Sequence, residues 1–160
     1  MADTNQQQIF MREAIRLASQ NVDTQAGGPF GAVIVKNGTI IASAANHVTT
    51  ANDPTAHAEV NAIREACKKL NTFDLSGCEI YASCEPCPMC LAAIYWARID
   101  KIYYAGNRHD AEIAGFDDSF IYNELNTPAS ERTIPIVELL HEEGMKPLQE
   151  WQNCTNKMAY

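Results

Sequence analysis

Two short runs of potential metal ligands constrain this chain more than any other feature: His57-Ala58-Glu59 after Asp53-Pro54, and Pro86-Cys87-Pro88-Met89-Cys90 further on. Cys87 and Cys90 stand three positions apart, so in the first turn of a helix both sulfurs project toward one point and can share a metal. His57 and Glu59 are two apart and would diverge around a helix barrel, so a target common to both must lie off the helix end. The fold must therefore bring two helix N-termini to face one point. Free amide N–H groups and the positive end of the helix dipole there favour thiolate over thiol, the form that binds zinc.

His57, Cys87 and Cys90 make three zinc ligands, for one ion per chain, where four make a closed site. A structural zinc uses four protein ligands and needs no neighbouring carboxylate, whereas a hydrolytic zinc keeps one position for water and wants a general base beside it. Glu59 is the candidate catalytic base. Two thiolates cancel the formal charge of Zn²⁺, so its water is acidified less than on a zinc held by imidazoles alone, and a proton acceptor gains importance. Glu59 is expected to take a proton from that water, pass it to a ring nitrogen of the substrate and later protonate the departing amine. Cys84 offers an alternative, a fourth ligand that closes the site. That reading leaves Glu59 without a task, and Pro86 separates Cys84 from the helix that carries the pair. His47, His109 and His141 have no ligand-like spacing, and Cys67, Cys78 and Cys154 read most simply as small apolar residues.

At 160 residues, 46% of them hydrophobic, residues 1–160 have the length and apolar content of one domain. The longest apolar runs, Ala32 to Val35 and Ile134 to Leu140, fall far short of a bilayer span, and the polar start from Met1 to Gln8 lacks a basic signal-peptide head. A soluble, cytoplasmic protein with no membrane partner is expected. Six cysteines without an export signal suit a metal or free thiols better than disulfides. A net charge of −8 opposes a broad grip on phosphate backbones, which relies on Lys and Arg releasing counterions, and so argues against nucleic acid as a partner and for a small uncharged substrate.

Phe10, Ala14, Leu17 and Ala18 recur at helical spacing and predict a helix from about Gln6 to Asn21. Ala32 to Val35 and Thr39 to Ala42 flank Asn37-Gly38, the strongest short signal for a type I′ hairpin. Asp53 as N-cap with Pro54 in first position predicts a second helix from Pro54 to Leu70. Glu79 to Ser83, Lys101 to Ala105 and Ile134 to Leu140 read as strands, Pro86 to Ala97 as a helix, and Pro147 to Tyr160 as a closing helix with Leu148, Trp151 and Met158 on one face. Helices interleaved with short strands make an α/β fold, a mixed sheet covered on both faces.

His-x-Glu followed by Pro-Cys-x-x-Cys, the Glu not a ligand, is the signature of zinc deaminases acting on nucleobases. The residues resemble the cytidine and deoxycytidylate deaminase superfamily, whose fold is three-layered, with a five-stranded mixed sheet between helices. Within it, the stretches Gly27 to Val35, Asn52 to Glu59, Cys84 to Cys90, Ala93 to Arg98, Ala114 to Phe120 and Glu131 to Pro135 look like bacterial guanine deaminases. That resemblance implies hydrolysis of guanine to xanthine and ammonia by a homodimer in which the C-terminal segment, about 145–160, crosses to the partner's active site. It further implies that Asn46 hydrogen-bonds the purine, that Ala58 offers its backbone, that Asp118 accepts from base N–H groups and that Tyr160 closes the neighbouring pocket. Phe30 and Trp96 become apolar or stacking walls.

Plainer readings stand beside these. Asp117 and Asp118 suit the cap of a short helix, Tyr160 is by default a frayed terminus, and Tyr95 and Trp96 share a helix with Leu91 and Ile94, where core packing is usual. A transfer-RNA adenosine deaminase shares the zinc motif but must hold a flipped base and its backbone, and a tail whose cations are Lys146 and Lys157 argues against it. A deaminase of another small aminated base or nucleoside is the remaining enzyme alternative. A noncatalytic zinc module would be marked by the closed four-ligand site.

Overall fold

Helical spacing of apolar residues turns the N-terminal region into α1, Thr4–Thr24, in the computed structural model, which describes residues 4–160. Its buried stripe is Phe10, Ala14, Ala18 and Asn21, and the helix extends beyond the expected span at both ends. Next comes the hairpin of β1, Gly31–Lys36, and β2, Thr39–Ala45. Asn37 and Gly38 both take positive φ, 51° and 73°, as the type I′ turn requires. Gly31 is where α1 crosses the start of β1: a Cβ there would lie 2.2 Å from the Ala14 carbonyl oxygen.

β3, Cys78–Cys84, pairs antiparallel with β1, and β4, Lys101–Gly106, runs parallel to β3, giving the order β2-β1-β3-β4. Alternation along β1 divides the core in two. Val33 and Val35 face Phe10 and Ala14 of α1, with Tyr81 of β3 between Phe10 in an edge contact and Tyr103 in a parallel stack. Ala32 and Ile34 face the opposite way, onto Ala58, Ala62 and Ala66 of α3, Ala58–Leu70, and Ile94 of α4, Pro88–Trp96. A helix on one face and two on the other make the expected three-layer α/β architecture. Four strands form the sheet where five were expected.

The missing strand is Ile134–Leu140. Contacts divide the chain into two compact units, one ending at Asp118 and the other running Ser119–Tyr160. The second unit holds α6, Ser119–Asn126, a 3₁₀ turn at Ala129–Glu131 and α7, His141–Asn153. Its described residues include no strand for Ile134–Leu140 to pair with, and Pro135 has no N–H to give a ladder. α7 also differs from expectation. It begins at His141, where Glu142 and Glu143 favour the positive end of the helix dipole, carries Pro147 in its interior, and stops before Met158. α6 and α7 contain no buried residue.

The first unit is completed by α2, Val48–Ala51, and α5, Arg108–Ile113. All six cysteines are free thiols. No helix among the described residues is long and apolar enough to cross a membrane.

Candidate metal centre and active site

Asp53 does not cap α3. Its carboxylate accepts hydrogen bonds from the Thr55 N–H at 2.8 Å and the Thr55 hydroxyl at 2.7 Å, a tight local turn that competes with helix. The helix starts four residues later than expected, at Ala58, and His57 becomes the N-cap with extended backbone. This shift puts the imidazole off the helix end, where the spacing argument required the shared target. α4 repeats the device. Pro88 occupies its first turn and disfavours helical backbone in the residue before it, so Cys87 is an extended N-cap and the helix begins at Pro88, two residues after the expected Pro86.

The two helix starts converge. His57 Nδ1 lies 3.6 Å from Cys87 Sγ and 3.4 Å from Cys90 Sγ, and one ligand atom from each residue falls within 4.8 Å of the others. A tetrahedral zinc with ordinary Zn–S and Zn–N bonds separates an imidazole nitrogen from a thiolate by about 3.5 Å. The donor set therefore fits zinc in both chemistry and spacing. Hydrogen bonds from Cys90 and His57 hold the Cys87 thiol low, at about 4, while the Cys90 thiol that donates to it is pushed up. His57 is raised by its bond to Cys87, against the opposing effect of burial.

Glu59, in the first turn of α3, is 7% exposed, and its Oε2 sits 3.4 Å from Cys90 Sγ. Burial raises its carboxyl above the ordinary range. Its carboxyl thus lies next to the donor cluster, screened from bulk water. Cys84 is not a fourth donor: its Sγ points to the Asn107 carbonyl oxygen at 3.6 Å.

Of the substrate candidates, Ala58 adjoins His57, Asn46 precedes a residue tied to the loop before His57, and Asp118 feels the charge of Cys87. Asn46 follows β2 and is 5% exposed; its Oδ1 accepts from the backbone N–H groups of Gly28 (3.2 Å) and Val48 (3.1 Å), which commits the oxygen and leaves Nδ2 as the donor. The adjacent His47 N–H bonds the Ala56 carbonyl at 2.9 Å, tying this strand end to the loop that delivers His57. Ala58 is fully buried at the first position of α3. Phe30 meets Phe116 edge-on at 4.9 Å, which draws the segment before Asp118 to the β1 side. Asp118 is partly buried, and its carboxyl is raised by burial and then by the charge of Cys87.

Trp96 is placed elsewhere. It ends α4, opposite to Cys87, and is 66% exposed. Tyr160 belongs to the second unit and is also exposed.

Three groups escaped the sequence reading. Glu85 accepts from the Arg108 N–H at 3.1 Å while its own N–H bonds Gly106, so the turn before Cys87 is fastened to the start of α5. Asn21 and Asn61 give their amide protons to carbonyls around Asn46 and His57. A signal for Asn21 was present: it continues the apolar spacing of Phe10, Ala14 and Ala18, and a polar residue on a buried stripe has partners to serve.

The sequence pattern of the cytidine and deoxycytidylate deaminase zinc-binding region matches residues 4–106. The chain is 56% identical to the guanine deaminase of Bacillus subtilis over 96% of its own length and 98% of that protein's. The X-ray structure of guanine deaminase from the same organism superimposes with a TM-score of 0.93, covering 100% of this chain and 99% of that one at 54% identity. A tRNA-specific adenosine deaminase of Aquifex aeolicus is 36% identical over 90% of this chain and 92% of that protein. With its His57, Cys87 and Cys90 donors inside the matched region, the chain belongs to the cytidine and deoxycytidylate deaminase family and, within it, groups with guanine deaminase.

Proposed function

We propose that the chain is a zinc-dependent aminohydrolase that converts guanine and water to xanthine and ammonia. The observation that carries this reading is the convergence of two thiols and an imidazole with a buried carboxyl 3.4 Å from one of the sulfurs. Likeness to guanine deaminase along nearly the whole chain supports the choice of base.

His57 Nδ1, Cys87 Sγ and Cys90 Sγ would hold the zinc, which when bound supplies the Lewis acidity that makes water nucleophilic near neutral pH. As thiolates, Cys87 and Cys90 offset the charge of the ion, which leaves proton acceptance to Glu59. Glu59 Oε2 takes the proton released as the water oxygen bonds to C2 of guanine and delivers it to a ring nitrogen. It then carries the second proton to the amine as the C2–N bond breaks. Asn46 donates through Nδ2 to an acceptor on the purine, Ala58 offers its backbone, and Asp118 accepts from base N–H groups. Phe30 walls the ring.

The working enzyme is read as a cytoplasmic homodimer, with both units of each chain acting together. Segment 145–160 of one chain reaches the other's active site and places Tyr160 over its purine. Ile134, Val137, Leu139 and Trp151 are apolar and exposed in the single chain, a surface that asks for cover.

A panel of guanine, adenine, cytosine, guanosine and a transfer RNA, scored for ammonia release by zinc-loaded protein, tests the function. Guanine should be turned over in preference to the rest, and Glu59→Ala should abolish that turnover, by on the order of 10³-fold or more, with zinc retained. No release from guanine by zinc-replete wild type removes the proposal.

A further inference from the structure

Asn46 is held by side chains from two helices that lie on opposite faces of the sheet. Asn21, in the last turns of α1, donates Nδ2 to the Asn46 carbonyl at 2.6 Å and to the Gly28 carbonyl at 2.9 Å. Asn61, on α3, donates Nδ2 to the Ala45 carbonyl at 3.0 Å and to the Ala56 carbonyl at 3.2 Å. Carbonyls 45 and 46 belong to the two peptide planes that flank the Asn46 Cα. With one amide clamping each plane, and the Asn46 N–H bonded to the Phe30 carbonyl at 3.0 Å, rotation about both backbone bonds of Asn46 is blocked. Gly27 leaves no slack on this side, because a Cβ there would meet the Asn46 carbonyl oxygen at 2.0 Å.

The second proton of each amide gives the pair its meaning. Asn61 spends it on the carbonyl that precedes His57, so a single side chain ties the peptide before Asn46 to the peptide before the metal ligand. Asn21 spends its own on the loop whose Gly28 N–H grips the Asn46 side-chain oxygen. Asn21 is 4% exposed, a costly place for an amide whose protons serve nothing else.

We infer that Asn21 and Asn61 are positioning residues for the deamination: together they fix the peptide planes of Asn46, and Asn61 sets the spacing between the purine-binding group and the metal centre. This rests on the role of Asn46 given above, so the test has one arm that needs no substrate. In hydrogen–deuterium exchange on the zinc-loaded protein, Asn61→Ala should speed exchange of the Asn46 and His47 amides at least about threefold, since each loses a supporting hydrogen bond nearby.

In the kinetic arm, Asn61→Ala should raise KM for guanine about tenfold with kcat changed far less and one zinc per chain kept, a loss comparable to one hydrogen bond. In an Asn46→Ala background the same substitution should add almost nothing to KM, because Asn61 acts through Asn46. Asn21→Ala should behave alike; Asn61, on a half-exposed face, carries the test should the Asn21 variant fold poorly. Unchanged amide exchange in Asn61→Ala overturns the inference whatever the substrate is. So does a KM effect that adds fully to that of Asn46→Ala, or a lowered Tm with unaltered KM. Absence of guanine turnover by wild type strikes the proposed function alone and leaves the exchange result to decide this one.

Discussion

Glu59 carries its carboxyl into the protein interior, and that burial works against its charge. The folded-state carboxyl is raised above its ordinary value, so its contribution to stability is fully present at acid pH, where it is protonated in folded and unfolded chains alike. As pH rises the unfolded chain ionises first and stability is lost until the folded group ionises too. Glu59→Gln removes this penalty. In chelator-treated protein the variant should melt at least about 2 °C above wild type at pH 7, and the gap should close near pH 4. Melting curves with the same gap at both pH values would show that burial of this carboxyl is not what the fold bears. The donor cluster was readable because residue type and spacing specify it: two cysteines three apart, and a His-x-Glu pair whose divergence demanded a target beyond the helix end. The buried stripe marks Asn21 as a polar residue with partners to serve, but which carbonyls Asn21 and Asn61 reach was not readable, since those at Asn46 and Ala45 are distant in sequence and carry no side-chain signature.

The elements show where periodicity suffices and where local chemistry overrides it. β1 and β2 follow their pattern because Asn37-Gly38 dictates the turn and a fully buried strand is continuously apolar. The start of α3 did not follow, since the Asp53 carboxylate found a nearer donor in Thr55 than any helix N–H. Ile134 to Leu140 has the composition of a strand but no partner within its unit, and composition alone makes no ladder. Packing of α1 on the sheet depends on a single missing side chain. Gly31→Ala places a methyl 2.2 Å from the Ala14 carbonyl oxygen and 2.8 Å from Leu17 Cβ, so helix and strand must separate. The expected loss is about 1–3 kcal/mol in urea unfolding, the usual cost of overpacking. A variant with wild-type midpoint would mean that α1 is free to slide on β1.

For the molecule as a whole, the first unit holds the metal donors, Glu59, Asn46 and Asp118, while the tail bearing Tyr160 lies in the second. The proposed exchange of tails between two chains makes each active site a product of both, which has a consequence that no property of one chain can imitate. A chain with Glu59→Ala keeps its tail and has a dead centre. A chain lacking residues 145–160 keeps a live centre and has no tail to give. Each should be inactive alone on guanine. Mixed under conditions that let subunits exchange, they form heterodimers in which the tail of the first completes the centre of the second, and activity should return to roughly a quarter of wild type, from random pairing of two-fold symmetric dimers. Native mass spectrometry confirms that exchange has taken place, since the heterodimer differs from each homodimer by the mass of one tail. Should the mixture stay inactive although heterodimers are present, the tail serves its own chain, and the partner is not part of the active site.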